Sequence, residues 1–216
     1  MIALRDSVKM SPQEYLSWEA EQSYKYEYLH GEVYAMTGGT LPHNDVAVNL
    51  TTILRTHLRG SRCKVRMSDA KVCVSESGPF FYPDVVVSCD ERDRQARDMV
   101  RYPCLIIEVL SPSTEAFDRG EKFRQYRRLP SLQEYVLMSA DTMMVEVFRL
   151  NEQRKWELTP YSLDASGDSG LVTDTDTAVN ELTIELTSVG YQGAIALLYE
   201  DVELSQFKPF SASEGQ

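Results

Sequence analysis

Two short apolar segments, each interrupted by one carboxylate, constrain the fold of this chain more than any other feature. They span residues 80–88 (FFYPDVVVS) and 104–110 (CLIIEVL), and both contain several β-branched residues. Segments of this length and composition are typical of central strands that are buried on both faces of a sheet. The sequence therefore predicts a sheet whose central strands carry Asp84 and Glu108.

The remaining segments alternate between helical and strand patterns. A capping box at Ser11 and Glu14, with Pro12 between them, predicts the start of a helix. The patterns together predict helices over 12–21, 43–58, 114–128 and 189–199, hairpins of 26–29 with 32–36 and of 134–138 with 143–150, strands over 65–67, 72–74 and 182–186, a surface loop or short helix over 90–101, and a loop over 164–170. This order predicts a mixed α/β fold. We expect one domain over 1–204, of which 150–204 form a C-terminal elaboration, followed by a flexible tail over 205–216.

The net charge of −11 excludes a protein that is basic overall and binds nucleic acid through general attraction. The acidity is uneven, because residues 1–149 hold 19 basic and 21 acidic side chains whereas residues 150–216 hold 3 and 12. Two basic clusters could contact a phosphate backbone or could be ordinary solvated surface. The first contains Arg55, Arg59, Arg62, Lys64 and Arg66, and the second contains Arg119, Lys122, Arg124, Arg127 and Arg128.

The four cysteines show neither a CxxC pair nor a neighbouring histidine pattern, so we expect reduced side chains packed in the interior rather than a zinc site or disulfides. The N-terminus lacks the apolar segment of a signal peptide, and no stretch approaches the ~20 apolar residues that span a bilayer. These features predict a soluble, cytoplasmic protein that does not contact membranes.

The pair of strand carboxylates indicates a metal site. An ionised carboxylate in a buried strand is costly unless it is paired or binds a metal. Asp84 and Glu108 in neighbouring strands would repel each other and raise the pKa of one of them, unless a cation lies between them. Mg²⁺ or Mn²⁺ would suit such oxygen ligands. The alternative is that each acid lies at a strand end and faces solvent or an arginine.

A third element lies on the helix that follows Glu108. Asp118, Lys122 and Tyr126 are four residues apart and share one helical face. The spacing alone predicts an exposed salt bridge between Asp118 and Lys122 above a core tyrosine, Tyr126. The loop at 111–114 is short, however, so the helix returns over the end of the strand and Lys122 could reach the carboxylate pair.

These motifs together resemble the Uma family of putative restriction endonucleases. The resemblance rests on Pro83-Asp84, on the segment 108–114 (EVLSPST), on Asp118-x3-Lys122-x3-Tyr126, and on shorter matches over residues 10 to 200. It implies the restriction-endonuclease-like PD-(D/E)XK fold, in which helices flank a central mixed sheet and the site lies where two strands diverge.

The resemblance also implies roles for individual residues. Asp84, Glu108 and the backbone carbonyl of Val109 would bind Mg²⁺ or Mn²⁺. The lysine that usually follows two residues after the glutamate is replaced by Leu110, and Lys122 is the candidate substitute. Further residues that could approach the same cleft are Glu32, His43 and Asp69, with Asp118 and Tyr126 from the helix. His43 could equally cap its own helix.

Two functions are compatible with this sequence. The first is a divalent-metal-dependent endonuclease that hydrolyses phosphodiester bonds of DNA, in which Lys122 orients or deprotonates the nucleophile. The second is a nuclease-fold protein that has lost its lysine and serves as a homodimeric interaction module, with the strand over 143–150 pairing across the interface.

Overall fold

The computed structural model describes residues 2–3, 9–36, 38–162 and 182–205. Its strands are β1 (Ile2–Ala3), β2 (Tyr26–Leu29), β3 (Glu32–Ala35), β4 (Lys64–Met67), β5 (Val72–Cys73), β6 (Phe80–Phe81), β7 (Val85–Ser88), β8 (Leu105–Leu110), β9 (Glu134–Ser139), β10 (Met144–Leu150), β11 (Trp156–Ser162), β12 (Thr183–Leu186) and β13 (Tyr191–Ala194). Its α-helices are α1 (Pro12–Glu19), α2 (Leu41–His57), α3 (Glu91–Gln95), α4 (Glu115–Phe117) and α5 (Phe123–Tyr126), and a π-helical turn (Asp118–Lys122) joins the last two. Two 3₁₀ helices span Thr187–Val189 and Ile195–Tyr199.

A six-stranded mixed sheet forms the centre of the molecule, in the order β11-β10-β9-β8-β7-β4. Its pairs are antiparallel except β8 with β9, which are parallel. The apolar face of α2, with Val46, Leu50 and Leu54, packs on one side of this sheet. Phe123 and Tyr126 of α5 pack on the other side. The mixed α/β architecture predicted from the sequence is therefore observed.

A second sheet, in the order β1-β3-β2-β6-β5, covers part of the α5 side of the central sheet. Helix α1 packs on this second sheet through Tyr15, which stacks on Tyr28 and Phe80. The helix has the predicted capping box, because Ser11 N donates to Glu14 Oε2 at 2.7 Å and Glu14 N donates to Ser11 Oγ at 3.3 Å. It ends at Glu19, two residues before the predicted end.

The prediction of one strand over 80–88 was wrong, because the chain changes sheets within this segment. Strand β6 pairs with β2 and β5, whereas β7 pairs with β4 and β8. The crossing is at Tyr82–Asp84, where Pro83 has no N–H to donate to a strand ladder. Asp84 therefore lies at the junction of the two sheets, directly before β7, while Glu108 lies inside β8 as predicted.

The predicted final helix over 189–199 is confirmed only at its end, where residues Ile195–Tyr199 form a 3₁₀ helix. Gly190 adopts a left-handed conformation (φ 62°) that ends the first 3₁₀ helix. The next four residues form β13, which pairs with β12 from Leu186↔Tyr191 to Thr183↔Ala194. The loop predicted over 164–170 and the tail from residue 206 onward lie outside the described residues.

The expectation that all four cysteines are reduced was wrong for two of them, which form a disulfide. Cys63 and Cys89 are bonded, and Cys73 and Cys104 are free and buried. The cause is the pairing of β4 with β7, in which Lys64 lies opposite Ser88. This register brings the flanking cysteines together although they are 26 residues apart.

The described part of the chain contains no helix with both the length and the apolar character that a bilayer span requires.

Glu134 anchors the C-terminal segment to the central sheet. Its fully buried carboxylate accepts hydrogen bonds from Arg149 Nε at 2.7 Å, from Thr187 N at 3.0 Å and from Ser188 N at 2.8 Å. We expect Glu134→Ala to lower the free energy of unfolding by about 1–3 kcal/mol, because it removes the acceptor that these partly buried donors share. Urea denaturation would measure the loss. Glu152→Ala, at an exposed position, should change the same quantity by less than about 0.5 kcal/mol, and equal losses would contradict the anchoring role.

Candidate active site

A cleft of about 780 Å³ lies where β2, the start of α2, the end of β8 and the π-helical turn meet. Residues from both sheets line it. Its charged and imidazole side chains are Lys25, Glu27, His43, Asp69, Asp84, Glu108, Asp118 and Lys122. Most residues that the sequence nominated for a site therefore face one cavity.

The register of the central sheet places Asp84 beside Glu108. Val85 pairs with Ile107, and continuing this antiparallel register by one residue brings the two acids opposite each other. Asp84 Oδ2 accepts a hydrogen bond from Val109 N at 2.7 Å, which fixes the carboxylate against β8. The two side chains differ in burial, since Asp84 is 20% exposed and Glu108 only 3%.

Lys122 reaches this carboxylate pair from the helical side. Its ammonium Nζ lies 3.0 Å from Glu108 Oε1, 3.1 Å from Glu27 Oε1 and 3.4 Å from Asp118 Oδ1. The side chain is buried, and Tyr126 OH donates to the same Glu108 oxygen at 3.2 Å. The alternative of an exposed salt bridge over a core tyrosine therefore does not describe this face of the helix.

The predicted helix over 114–128 is interrupted by a π-helical turn at the point where it faces the site. The turn spans Asp118–Lys122, and Tyr135 OH from the central sheet donates to the Asp118 carbonyl at 2.9 Å. Single π-helical turns inside α-helices are frequent at functional sites. Here the turn directs the side chains of both Asp118 and Lys122 toward Glu108.

Burial and the Lys122–carboxylate contacts have opposite effects on the pKa values of the side chains in the cleft. Burial raises the pKa of Glu108 well above its ordinary value, against the lowering effect of the Lys122 ammonium, and nearby carboxylates raise it further. Burial acts in the same direction on Glu27 and raises its pKa. For Lys122, burial alone lowers the pKa, but Glu108, Glu27 and Asp118 together raise it well above the ordinary value. The three carboxylates around Lys122 therefore favour its ammonium form.

Glu27 is a site residue that the sequence did not reveal. It lies on β2 and is 1% exposed, and its Oε1 accepts from Tyr82 N at 2.9 Å as well as contacting Lys122. Its second oxygen, Oε2, is buried without a hydrogen-bond partner among the described residues. The alternation of polar and apolar residues in a short hairpin strand does not show whether an acidic residue is buried or exposed. The role of Glu27 becomes visible only in the folded structure, where β2 packs against the π-helical turn.

The donor set of the cleft fits a hard divalent cation. The carboxylates of Asp84 and Glu108 and the carbonyl of Val109 would supply the oxygen ligands that Mg²⁺ and Mn²⁺ prefer. The carboxylates near Lys122 also outnumber its single ammonium. Within the described ranges no three His, Cys, Asp or Glu side chains converge into a group that could hold a metal ion. An ion held by Asp84 and Glu108 would therefore need the carbonyl and water to complete its coordination.

The three additional residues nominated from the sequence lie in different places. His43 lines the cleft, with Nε2 3.4 Å from Asp84 Oδ2, while Thr40 caps α2 by accepting from His43 N at 3.3 Å. Burial is the largest single influence on the pKa of His43 and lowers it, but the hydrogen bond to Asp84, the charge of Asp84 and a hydrogen bond to the Val109 backbone together outweigh burial, so the net shift is upward. Asp69 lines the cleft at an exposed position. Glu32 does not line it and accepts instead from Tyr34 OH at 2.6 Å.

The second basic cluster is largely neutralised by the protein itself. Arg119 pairs with Glu115 at 2.7 Å and also with Glu146, and Arg124 pairs with Glu121 at 2.6 Å. Lys122 is buried in the cleft. Arg127 and Arg128 of the same cluster are exposed and form no ion pair with the described residues, so only these two present unpaired positive charge to solvent.

Comparisons with known proteins agree with this architecture. The family model Uma2, described as putative restriction endonuclease, matches residues 12–185. An uncharacterized protein of Synechocystis sp. is 38% identical over 191 residues, which cover 88% of this chain and 92% of the relative. A second uncharacterized protein of the same organism is 33% identical over 161 residues, which cover 74% of this chain and 91% of the relative.

A crystal structure of a putative nuclease belonging to DUF820 from Anabaena variabilis is similar in fold. The TM-score is 0.67 at 14% sequence identity, and the match covers 88% of this chain and 97% of that chain. The predicted restriction-endonuclease-like fold, with a mixed central sheet and flanking helices, is thereby confirmed.

Proposed function

Because this chain belongs to the Uma2 family of putative restriction endonucleases, we propose that it is a divalent-metal-dependent endonuclease that hydrolyses DNA phosphodiester bonds. The observation that carries the proposal is the buried Lys122 ammonium 3.0 Å from Glu108, with Asp84 held against the next backbone amide. Two adjacent carboxylates can hold a metal ion that activates water for phosphodiester hydrolysis, and a fixed cation beside them can stabilise the phosphate charge.

In this proposal Asp84, Glu108 and the Val109 carbonyl hold Mg²⁺ or Mn²⁺. The bound ion would stabilise negative charge on the phosphate and lower the pKa of a water. Three carboxylates within 3.4 Å of Lys122 favour its ammonium form, so we assign it to orienting the nucleophile and stabilising phosphate charge. Tyr126 fixes the orientation of Glu108 through its hydrogen bond.

The substitution of leucine for the usual strand lysine is compatible with this assignment. Leu110 is 5% exposed and packs in the apolar cluster that contains Tyr126. Lys122 supplies the positive charge beside Glu108 from the π-helical turn instead. In this proposal the positive charge beside Glu108 comes from the π-helical turn, and residue 110 of β8 packs in the apolar interior.

The test is the metal dependence of cleavage by the unmodified chain. Supercoiled plasmid should be nicked or linearised with Mn²⁺ or Mg²⁺, should remain intact in EDTA, and should be cleaved again when excess Mn²⁺ is restored. Protein carrying Asp84→Ala, purified in parallel, controls for contaminating nucleases. Cleavage that persists in EDTA, or no cleavage with either ion, would overturn the proposal.

The alternative, an inactive homodimeric module, loses the interface first suggested for it. The predicted pairing strand corresponds to β10, whose two edges are already paired with β9 and β11. A homodimer would have to use another surface, and it stays a prediction that sedimentation equilibrium would test. A chain that binds Mn²⁺ and never cleaves would favour this alternative.

A further inference from the structure

The exposed face of α2 connects the cleft with a second groove. Asn44 lines the cleft, whereas Thr52, Arg55 and Arg59 line a groove of about 430 Å³ that is completed by Lys64 of β4. At 1.5 Å per residue, Asn44 and Arg55 lie about 16 Å apart along the helix. That distance corresponds to about five base pairs of duplex DNA, at 3.4 Å per pair.

One row of side chains follows this face without a negative charge. Asn44, Val48, Thr52, Arg55 and Arg59 are three or four residues apart and all exposed. The single acidic residue within α2 is Asp45, which lies one row away, nearer the side of Asn49. We call the five residues, together with Lys64, the α2 track.

The cations of the α2 track are not neutralised by the described residues. In the part of the chain that the structure describes, no ion pair involves Arg55, Arg59 or Lys64, in contrast to Arg119 and Arg124. Exposed cations without an acidic partner are groups that bind phosphate oxygens.

We infer that the α2 track binds the phosphate backbone of duplex DNA and leads it from the basic groove to the cleft. The inference rests on the proposed function and specifies its substrate. It favours a duplex over a single strand, because the track presents three cations and contains no aromatic side chain on which separate bases could stack. Contact through phosphates implies affinity that depends on salt and little on sequence.

The test compares two triple variants with the same change in charge. Arg55→Gln/Arg59→Gln/Lys64→Gln removes the cations of the track, and Arg92→Gln/Arg94→Gln/Arg124→Gln removes three arginines that are paired with acidic side chains. Each protein is assayed with Mn²⁺ on a duplex of about 20 base pairs. Each is also assayed on bis(p-nitrophenyl) phosphate, a diester too small to reach the track.

We expect the track variant to lose about tenfold or more in kcat/KM on the duplex and to cleave the small diester at the unmodified rate. The slope of log affinity against log salt should fall by about 2 to 3, or about 0.9 for each phosphate that the variant no longer neutralises. The paired-arginine variant should change either activity by less than about threefold.

Equal effects of the two triple variants on the duplex, with the small diester still cleaved, would overturn the track and leave the proposed function standing. Equal affinity and salt slope for a single strand of the same sequence would overturn the assignment to a duplex. An unmodified chain that hydrolyses neither substrate would overturn the proposed function and the track together.

Discussion

Glu108→Gln is expected to lower the rate of DNA cleavage by about a thousandfold or more, and Asp84→Asn should do the same. Each substitution keeps the size of the side chain and removes one anionic oxygen ligand. A metal ion at such a site supplies several kcal/mol of charge stabilisation in the transition state, and each 1.36 kcal/mol lost is tenfold in rate. Calorimetric titration should show that Mn²⁺ binding is lost along with cleavage.

Glu32→Gln is the matched control for these two variants. It makes the same chemical change at a carboxylate that lies outside the cleft and contacts Tyr34. We expect Mn²⁺ affinity and cleavage close to those of the unmodified chain. If Asp84→Asn and Glu108→Gln both bound Mn²⁺ as the unmodified chain does, the assignment of these residues as metal ligands would be wrong.

Lys122→Met should remove cleavage and also destabilise the fold by about 3–5 kcal/mol in metal-free buffer. The substitution leaves three buried carboxylates, of Glu27, Glu108 and Asp118, without the ammonium that lies within 3.4 Å of each. Removing one partner of a buried ion pair costs more than the pair itself contributes, because the remaining charge is uncompensated. Because the proposed ligands are retained, Mn²⁺ affinity should stay nearly unchanged.

A second variant separates the electrostatic cause from the loss of packing. Glu27→Gln/Lys122→Met removes one of the stranded charges, so its free energy of unfolding in urea should exceed that of Lys122→Met alone. Cleavage should not return, since the ammonium beside Glu108 is still missing. A double variant no more stable than Lys122→Met would show that uncompensated charge is not the cause of the destabilisation.

Local patterns predicted the elements whose signals lie within a few residues. The capping box placed the start of α1, and the two apolar segments located β7 and β8. The spacing of Asp118, Lys122 and Tyr126, together with the short loop after Glu108, anticipated that Lys122 reaches the carboxylates. These predictions succeeded because each depends on the conformation of a short, continuous stretch of the backbone.

The features that were missed depend on interactions between distant parts of the chain. Glu27 becomes a site residue only because the second sheet packs beside the π-helical turn. The bond between Cys63 and Cys89 follows from the register of β4 with β7, and the division of residues 80–88 follows from two competing sheets. A hydrophobic segment shows that a strand is buried but does not specify which neighbour it pairs with.

Because the chain crosses between the two sheets beside the site, the geometry of the site depends on the relative position of the sheets. Glu27 belongs to one sheet, Glu108 to the other, and Asp84 to the segment that ties them together. A small sliding of one sheet on the other would change the separations of all three carboxylates at once. Because displacements of about 1 Å can cost a hundredfold in rate, substitutions in the interface between the sheets should abolish the proposed activity while the protein remains folded.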